Sequence, residues 1–228
     1  MVKVERSPNA PASLAVESQK ACGDYKQPDV VLQLENDFRG KCYLCEIKDL
    51  TDPEVEHLVP HHGRKLKHLV FDWNNLFYAC RHCNSVKNNP IYDGKILDCC
   101  QTEPESLLNH IFHEGHVHIS PQDSATCDEK ILMTADLIQN CFERKNTGIR
   151  IVACQTRVKN LALTMNTLFK TLNQYTKNSN STLYYRRLCG LLSREHAFAA
   201  FTRHYVRSHL DDYPALAGLV TLQEAEDI

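Results

Sequence analysis

The chain has 228 residues, a formal net charge of −2 at pH 7 and eleven cysteines. Its length allows a sizeable core, either one domain with appendages or a small domain joined to a helical one, and its charge balance excludes a general nucleic-acid coat. No apolar run is long enough to span a membrane, and the cysteines occur without a recognisable signal peptide, so we expect a reducing, cytoplasmic location.

The first 36 residues are predicted to form an extended segment and a lead-in helix. The stretch through Gln27 is rich in Pro, Ser and Ala, which disfavours a long helix, so it is expected to run across another surface. The helix is predicted from Gln27 to Phe38 because its apolar residues fall on one face: Val30, Val31, Leu34 and Phe38.

Two Cys-x-x-Cys pairs follow, Cys42/Cys45 and Cys80/Cys83. Four thiolates in two close pairs can complete a tetrahedral shell around Zn²⁺ with no open position, which is typical of a structural zinc site. The separation of the pairs suits a treble-clef or ββα finger and requires a structured segment between them. Two unrelated pairs, or a redox pair of the thioredoxin type, are the alternatives; the matched pairs favour zinc.

The segment between the pairs carries the candidate chemistry. Residues 55–60 alternate apolar and polar and predict a short strand ended by proline, with Glu56 and His57 on opposite faces. A short helix after the second pair would carry Asn84 and Lys87 three positions apart. Packing of that helix against a hairpin would bring Glu56, His57 and Asn84 to one place. Without the flanking cysteines, Glu56-His57 would be interpreted as an ordinary exposed pair.

Four motifs occur here in order: Cys-x-x-Cys, Glu-His-Leu-Val-Pro, Trp-x-Asn-Leu and Cys-x-x-Cys-Asn-x-x-Lys. In order and spacing they resemble the HNH endonucleases of the zinc-stapled ββα-metal type, over about residues 41–89. The resemblance implies an α+β fold class. A ββα-metal (HNH, treble-clef-like) nuclease core with a structural zinc and a β extension would occupy residues 37–120, and a mainly α-helical C-terminal region would follow.

The resemblance also implies a role for each matched residue. His57 corresponds to the general base, and Asn75, rather than Asn74, to the asparagine that holds the base or its loop in place. Glu56 and Asn84 correspond to ligands of a catalytic divalent metal, although many family members have histidine at the second position. Carboxylate and amide oxygens favour Mg²⁺ or Mn²⁺ over softer metals. A neutral imidazole can accept the proton of the water that attacks a phosphodiester.

Basic residues near the predicted site are candidates for phosphate contacts. The densest basic stretch, residues 61–68, emerges beside the Glu-His pair, but a solvated loop would have the same composition. Trp73 is interpreted as hairpin core rather than as a base-stacking platform. The candidate nucleic-acid-binding residues are Arg64, Lys65, Lys67, Arg81 and Lys87, the last because its helix must face the scissile strand.

Residues 90–120 contain four histidines, namely His110, His113, His116 and His118. They suggest a second metal site, but no acidic or cysteine partner repeats at a known ligand spacing. A β-hairpin that covers the nuclease core, with some of these histidines on its solvated face, is the preferred interpretation.

The remainder, residues 121–228, is predicted to be helical and to bind a partner. Helices are expected from Thr126 or Asp128 to about Lys145, from Ile149 to Tyr175, and from Thr182 to Leu210 with an optional break. Thr147-Gly148, residues 177–181 and residues 211–214 are the expected stops, and the acidic tail 224–227 is expected to fray.

The last predicted helix combines basic and aromatic residues. Nucleic-acid binding, an aromatic core stripe with a basic outer face, and a protein interface are all compatible with this pattern, and the first is the least favoured. The residues are Arg186, Arg187, Arg194, Arg203, His204 and Arg207, with Phe198, Phe201 and Tyr205 between them.

The overall layout extends the resemblance. The opening Val4-Glu5-Arg6-Ser7-Pro8, the zinc core and a helical tail that contains residues 196–201 are similar to the HNH subunit of Septu-type and retron-associated anti-phage systems. This implies an effector nuclease that cuts DNA or RNA beside an ABC-type ATPase and, in some systems, a retron reverse transcriptase with its nucleic acid. A stand-alone restriction-type or homing-type nuclease, and a zinc-stabilised binding module with vestigial catalytic residues, are the alternatives.

Overall fold

A computed structural model describes residues 1–122, 128–143, 146–178 and 181–222 of the chain. Within these ranges there are nine α-helices and two separate two-stranded antiparallel sheets. The strands are β1 (Pro53–His57), β2 (Leu76–Cys80), β3 (Leu108–His113) and β4 (His116–Pro121). The helices are α1 (Ala12–Ser18), α2 (Pro28–Asp37), α3 (Lys67–Val70), α4 (Arg81–Lys87), α5 (Glu129–Glu143), α6 (Gly148–Lys177), α7 (Thr182–Leu191), α8 (Ala199–Arg207) and α9 (Ala217–Val220).

The first sheet and the helix after it form the frame of the zinc segment. Strand β1 pairs with β2 so that Glu56 faces Phe77 and His57 faces Leu76 across the ladder. All five residues of β2 are buried, and α2 packs against it through its apolar face. Helix α4 starts directly after β2, where the Cys80 sulfur accepts a hydrogen bond from the Cys83 amide. The predicted lead-in helix and the helix after the second cysteine pair are thus confirmed.

The stretch between β1 and β2 contains a short helix that the sequence pattern did not indicate, α3. A 3₁₀ turn at Trp73–Asn75 then leads into β2, and the Asp72 carboxylate caps it by accepting from the Asn74 amide. Trp73 is 5% exposed, which confirms its predicted place in the core.

The N-terminal segment lies over this core. The Arg6 guanidinium is within 5 Å of the ring centres of Trp73 and Phe77 and donates hydrogen bonds to the carbonyls of Trp73 and Leu76. The Trp73 indole in turn donates to the Ser7 carbonyl at 3.0 Å. The segment therefore runs across another surface as predicted, although it contains the seven-residue helix α1.

The second sheet confirms the predicted hairpin at the end of the zinc segment. Strands β3 and β4 pair in register from Leu108 opposite Pro121 to His113 opposite His116. His110 is buried against the Phe201 ring, whereas His113, His116 and His118 are exposed. Among the described residues these histidines do not form a metal-ligand cluster.

The C-terminal helices lie where they were predicted, with small differences at their ends. Asp128 caps α5, because its carboxylate accepts from the amides of Lys130 and Ile131. Thr126 and Lys145, the other predicted limits of this helix, lie outside the described residues, as do 179–180 of the predicted turn and the acidic tail. Thr147, at the predicted stop, is the N-cap of α6, and its hydroxyl accepts from the Arg150 amide.

The last predicted helix, for which a break was allowed, is divided into α7 and α8. Phe198 adopts a left-handed conformation with φ of 56°, which ends any continuous helix there. Glu46, directly after Cys45, then caps α8: its carboxylate accepts from the Ala200 amide at 2.9 Å, and its carbonyl accepts from the Phe198 amide. The zinc segment and the helices share one core cluster among the described residues.

Three of the basic residues predicted on the last helix form an ion-pair network around one buried carboxylate. The fully buried Glu105 carboxylate accepts from Arg203 at 2.8 Å, from Arg207 at 2.6 Å and from Arg194 at 3.1 Å. Arg194 also pairs with Glu103. These arginines join the helices to the loop before β3, so they do not form a basic outer face.

Substitution of Glu105 tests the network. Burial alone would raise the pKa of Glu105, but the charges of Arg203 and Arg207 lower it below the ordinary 4.5. Glu105→Gln should therefore lower the free energy of unfolding by about 3–5 kcal/mol at pH 7, which is typical when one partner of a buried ion pair is removed. As the pH falls below 4.5, Glu105 itself becomes protonated in wild type, so the difference in stability between wild type and variant should shrink. Urea unfolding at several pH values measures it, and the exposed Glu195→Gln is the control.

Candidate functional site

A cleft of about 450 Å³ opens at the end of β1. Strand β1, the loop that follows Pro60, helix α4 and the N-terminal segment all contribute to its wall. Glu56, His57 and Asn84, which the sequence predicted to meet, all line it, even though neighbouring strand residues point to opposite faces. The other polar lining residues are Tyr25, Lys26, His61, His62, Lys87, Asn88 and Asp93.

The His57 ring is fixed in one tautomer. Its Nε2 lies 3.1 Å from the Val70 carbonyl oxygen, and since a carbonyl can only accept, Nε2 carries the proton. Burial lowers the pKa of His57 to about 4, so the ring is neutral near pH 7. Nδ1 is therefore unprotonated, and it has no hydrogen-bond partner among the described residues. The edges of the Tyr25 and His61 rings contact this imidazole, each with 4.5 Å between ring centres.

Asn75 joins the two ends of the loop that carries Val70. Its Oδ1 accepts from the Val59 amide at 2.8 Å, and its Nδ2 donates to the carbonyls of Val59 and Leu69 at 2.9 and 3.1 Å. Asn75 is buried, whereas Asn74 is exposed. The geometry therefore favours Asn75 over Asn74 for the predicted holding role, which stays a prediction.

Glu56 is buried with two donors on its carboxylate. The Lys87 ammonium lies 2.5 Å from Oε1, and the Tyr43 hydroxyl donates to Oε2 at 2.9 Å. Burial raises the pKa of Glu56, and the Lys87 charge opposes that shift. Both donors are directed at the carboxylate and favour its ionised form.

Lys87 is largely enclosed within the site. The side chain is 5% exposed, and its ammonium also donates to the His57 carbonyl at 3.0 Å. Lys87 lines the cleft beside Glu56, and its contact with a phosphate stays a prediction.

The predicted catalytic metal ligands offer a partial shell. Each carboxylate oxygen of Glu56 has two lone pairs and is bound by one protein donor, so it can still bind a cation. The half-buried Asn84 faces the same cleft and adds a neutral amide oxygen. The Lys87 charge opposes a cation at Glu56. The set fits a hard ion whose other ligands are water and substrate oxygens, as is usual for Mg²⁺.

The four predicted zinc cysteines lie together. Cys42, Cys45, Cys80 and Cys83 are buried, and their sulfur atoms are all within 4.8 Å of one another. Sulfur atoms around a tetrahedral zinc lie about 3.8 Å apart, given Zn–S bonds of about 2.3 Å. The Cys45 and Cys80 sulfurs are 3.9 Å apart. The donor set therefore fits a structural Zn²⁺.

A helix from the C-terminal region also contacts this cluster. The Arg157 guanidinium of α6 donates to the Cys80 sulfur at 2.9 Å and is 7% exposed. Hydrogen bonds from the neighbouring cysteines, together with the Arg157 charge, lower the pKa of Cys80. A thiolate that accepts a charged hydrogen bond is typical of the outer shell of a metal site.

The remaining basic candidates lie on the surface. Lys65, Lys67 and Arg81 are exposed, and the Arg64 side chain donates to the Gly23 carbonyl at 2.7 Å. Arg64 and Lys67 line a second cleft beside α1. Their contact with nucleic acid stays a prediction.

Several residues of the site were not among the predicted site residues, including Tyr25, Tyr43, His61 and Asp93. Tyr43 lies inside the first Cys-x-x-Cys pair, and His61 directly follows the motif that contains His57. Their closeness in sequence to these motifs could have identified both as site residues. Tyr25 and Asp93 reach the cleft only through the tertiary fold.

Removal of one sulfur ligand should unfold the zinc segment. Cys83→Ser is expected to lose bound zinc and cooperative unfolding, because structural zinc contributes on the order of 10–16 kcal/mol to the folding of small zinc domains. Zinc content and thermal unfolding are the measurements. Cys189→Ser, which lies outside the cluster, is the control. Full zinc content in Cys83→Ser would contradict the assignment.

Substitution of Asn75 should destabilise the protein more than substitution of Asn74. Asn75→Ala removes three part-buried hydrogen bonds, to the Val59 amide and to the Val59 and Leu69 carbonyls, and should lower the free energy of unfolding by about 1–3 kcal/mol. Asn74→Ala should stay within about 0.5 kcal/mol of wild type, since its exposed side chain has no hydrogen bond among the described residues. Denaturant unfolding of both variants measures the difference, and equal losses would contradict the holding role.

No model of a known protein family matches this chain. A Septu protein PtuB of Bacillus thuringiensis is similar to it: the two are 29% identical over 122 residues, which cover 49% of this chain and 46% of that relative. The match therefore spans less than half of the relative's length. In the described parts of the chain, no helix combines the length and the apolar character needed to cross a membrane.

Proposed function

We propose that this chain is a metal-dependent HNH endonuclease, a hydrolase of phosphodiester bonds in DNA or RNA. The observation that carries the proposal is the His57 imidazole, whose Nε2–H is bound to the Val70 carbonyl so that Nδ1 is left as a basic nitrogen in a cleft with Glu56 and Asn84. A neutral, oriented imidazole of this kind is suited to act as a general base.

In the proposed reaction His57 Nδ1 accepts a proton from the attacking water. Transfer of the proton makes the ring an imidazolium, which the Val70 carbonyl continues to orient through Nε2. Asn75 fixes the loop that supplies this carbonyl, because it bonds both Val59 and Leu69. Glu56 and Asn84 would hold Mg²⁺ or Mn²⁺, which when bound stabilises negative charge on the phosphate. The four cysteines would hold Zn²⁺ as a purely structural ion.

We further propose that the nuclease is the effector of an anti-phage defence complex in the cytoplasm. The similarity to a Septu protein PtuB supports this, as does the layout of an N-terminal segment, a zinc core and a helical tail. The proposed partners are an ABC-type ATPase subunit, bound through residues 121–228, and in some systems a retron reverse transcriptase with its nucleic acid. Activation within such a complex agrees with the net charge of −2, which gives the isolated chain little general affinity for nucleic acid.

Replacement of the proposed base tests the activity. His57→Ala, expressed with its neighbouring genes, should keep zinc and the fold but lose Mg²⁺-dependent cleavage of plasmid DNA and total RNA by at least about 10²-fold, the usual contribution of a general base. The control is His113→Ala, since His113 is exposed on the β3–β4 hairpin, outside the cleft.

Four outcomes separate the candidate functions. Cleavage that depends on His57 and on a co-purified ATPase supports the defence nuclease, whereas cleavage by the isolated chain indicates a stand-alone nuclease. Unchanged cleavage in His57→Ala contradicts the proposed base. Binding of nucleic acid without cleavage, by the complex with zinc bound, would indicate a binding module.

A further inference from the structure

A second histidine packs directly against the proposed base. The ring centre of His61 is 4.5 Å from that of His57, and the two planes are nearly perpendicular at 88°. Tyr25 contacts both rings, His57 at 4.5 Å and His61 at 6.3 Å between centres. All three side chains line the same cleft.

The two histidines are held in opposite tautomers. The Arg64 backbone amide donates to His61 Nδ1 at 2.9 Å, so Nδ1 must accept and the neutral ring carries its proton on Nε2. In His57 the Val70 carbonyl accepts from Nε2, so Nδ1 is the free acceptor. His61 therefore offers an N–H donor and His57 an acceptor in residues that line one cleft, and His61 Nε2 has no hydrogen-bond partner among the described residues.

An unusual backbone turn produces the contact to His61. His62, Gly63 and Arg64 all have positive φ, at 48°, 64° and 66°. Two of these are not glycine, and such conformations cost energy that the surrounding structure must offset. The turn brings the Arg64 amide back onto the ring of His61, and the Arg64 side chain anchors it on the Gly23 carbonyl at 2.7 Å.

We propose that His61 is a further catalytic residue, which binds a non-bridging oxygen of the scissile phosphate through Nε2–H while remaining neutral. The proposal rests on the proposed nuclease function. The water oxygen bonds to phosphorus, its proton passes to His57 Nδ1, the P–O3′ bond breaks, and the 3′-oxygen takes a proton from solvent. His61 keeps its proton throughout and stabilises the charge that develops on the phosphoryl oxygen.

The contacts of His61 favour a donor over a general acid. Release of the Nε2 proton from a neutral ring would leave an imidazolate, and a second proton on Nδ1 would displace the Arg64 amide. A neutral imidazole can instead act as an electrophile by hydrogen bonding, as in some isomerases. The remaining alternative is that His61 only packs against His57.

Two variants separate donation from packing. His61→Phe keeps a ring against His57 and Tyr25 but has no N–H, whereas His61→Gln loses the ring and keeps an N–H donor. We expect His61→Phe to lower kcat/KM about 10²- to 10³-fold, as for removal of one oxyanion donor, and His61→Gln to recover part of the loss. His113→Phe is the control, since His113 is exposed on the β3–β4 hairpin, and zinc content and the melting temperature must match wild type in all variants.

A binding measurement decides the role of His61 independently of cleavage. The His61 variants are made in the His57→Ala background, where fluorescent DNA and RNA oligonucleotide probes stay intact. There His61→Phe should weaken binding of the probes at least about 10-fold, because a hydrogen bond to a charged group is lost. His61→Gln should weaken binding less. Equal affinity of the Phe variant and its parent, or a larger loss in Gln than in Phe, would overturn the proposal. If wild type cleaves nothing while this binding order holds, the proposed nuclease function fails and the phosphate contact of His61 stands.

Discussion

Four buried sulfur atoms within 4.8 Å of one another are the constraint on which the rest of this structure depends. They join the turn before β1 to the start of α4, and thereby fix the helix that carries Asn84 and Lys87 against the strand that carries Glu56 and His57. Buried thiolates require compensating positive charge. A zinc ion bound between the four sulfur atoms would supply most of it, and the Arg157 guanidinium on α6 adds to it. The C-terminal helices are therefore part of the support of the site, since Glu46 also caps α8 from the same turn.

Local spacing made much of this architecture predictable. The cysteine pairs, the helix after the second pair and the hairpin at β3–β4 each have a short-range pattern, and the structure places them as the patterns indicate. The strand ended by Pro60 is shorter than its pattern, because it ends at His57 where the Asn75 contacts begin.

Long-range pairing was not predictable, because one residue pattern can serve several environments. A basic helical stripe has the same sequence whether it faces water or a buried carboxylate, and only the fold brings Glu105 to Arg194, Arg203 and Arg207. The same holds for Lys87, whose partner Glu56 lies 31 positions away. Tyr25 reaches the His57 ring from the N-terminal segment without any motif around it.

The charge balance of the cleft constrains how the proposed chemistry would work. Glu56 and Lys87 form a neutral pair, and Asp93 is the other acidic residue among the residues that line the cleft. A divalent cation at Glu56 would therefore meet one nearby carboxylate and one ammonium, which gives weak attraction in the absence of further anions. A substrate phosphate supplies the missing negative charge, and in the proposed reaction it also supplies oxygen ligands. Metal and nucleic acid would then each favour binding of the other, so that the complete catalytic arrangement forms only with substrate in the cleft.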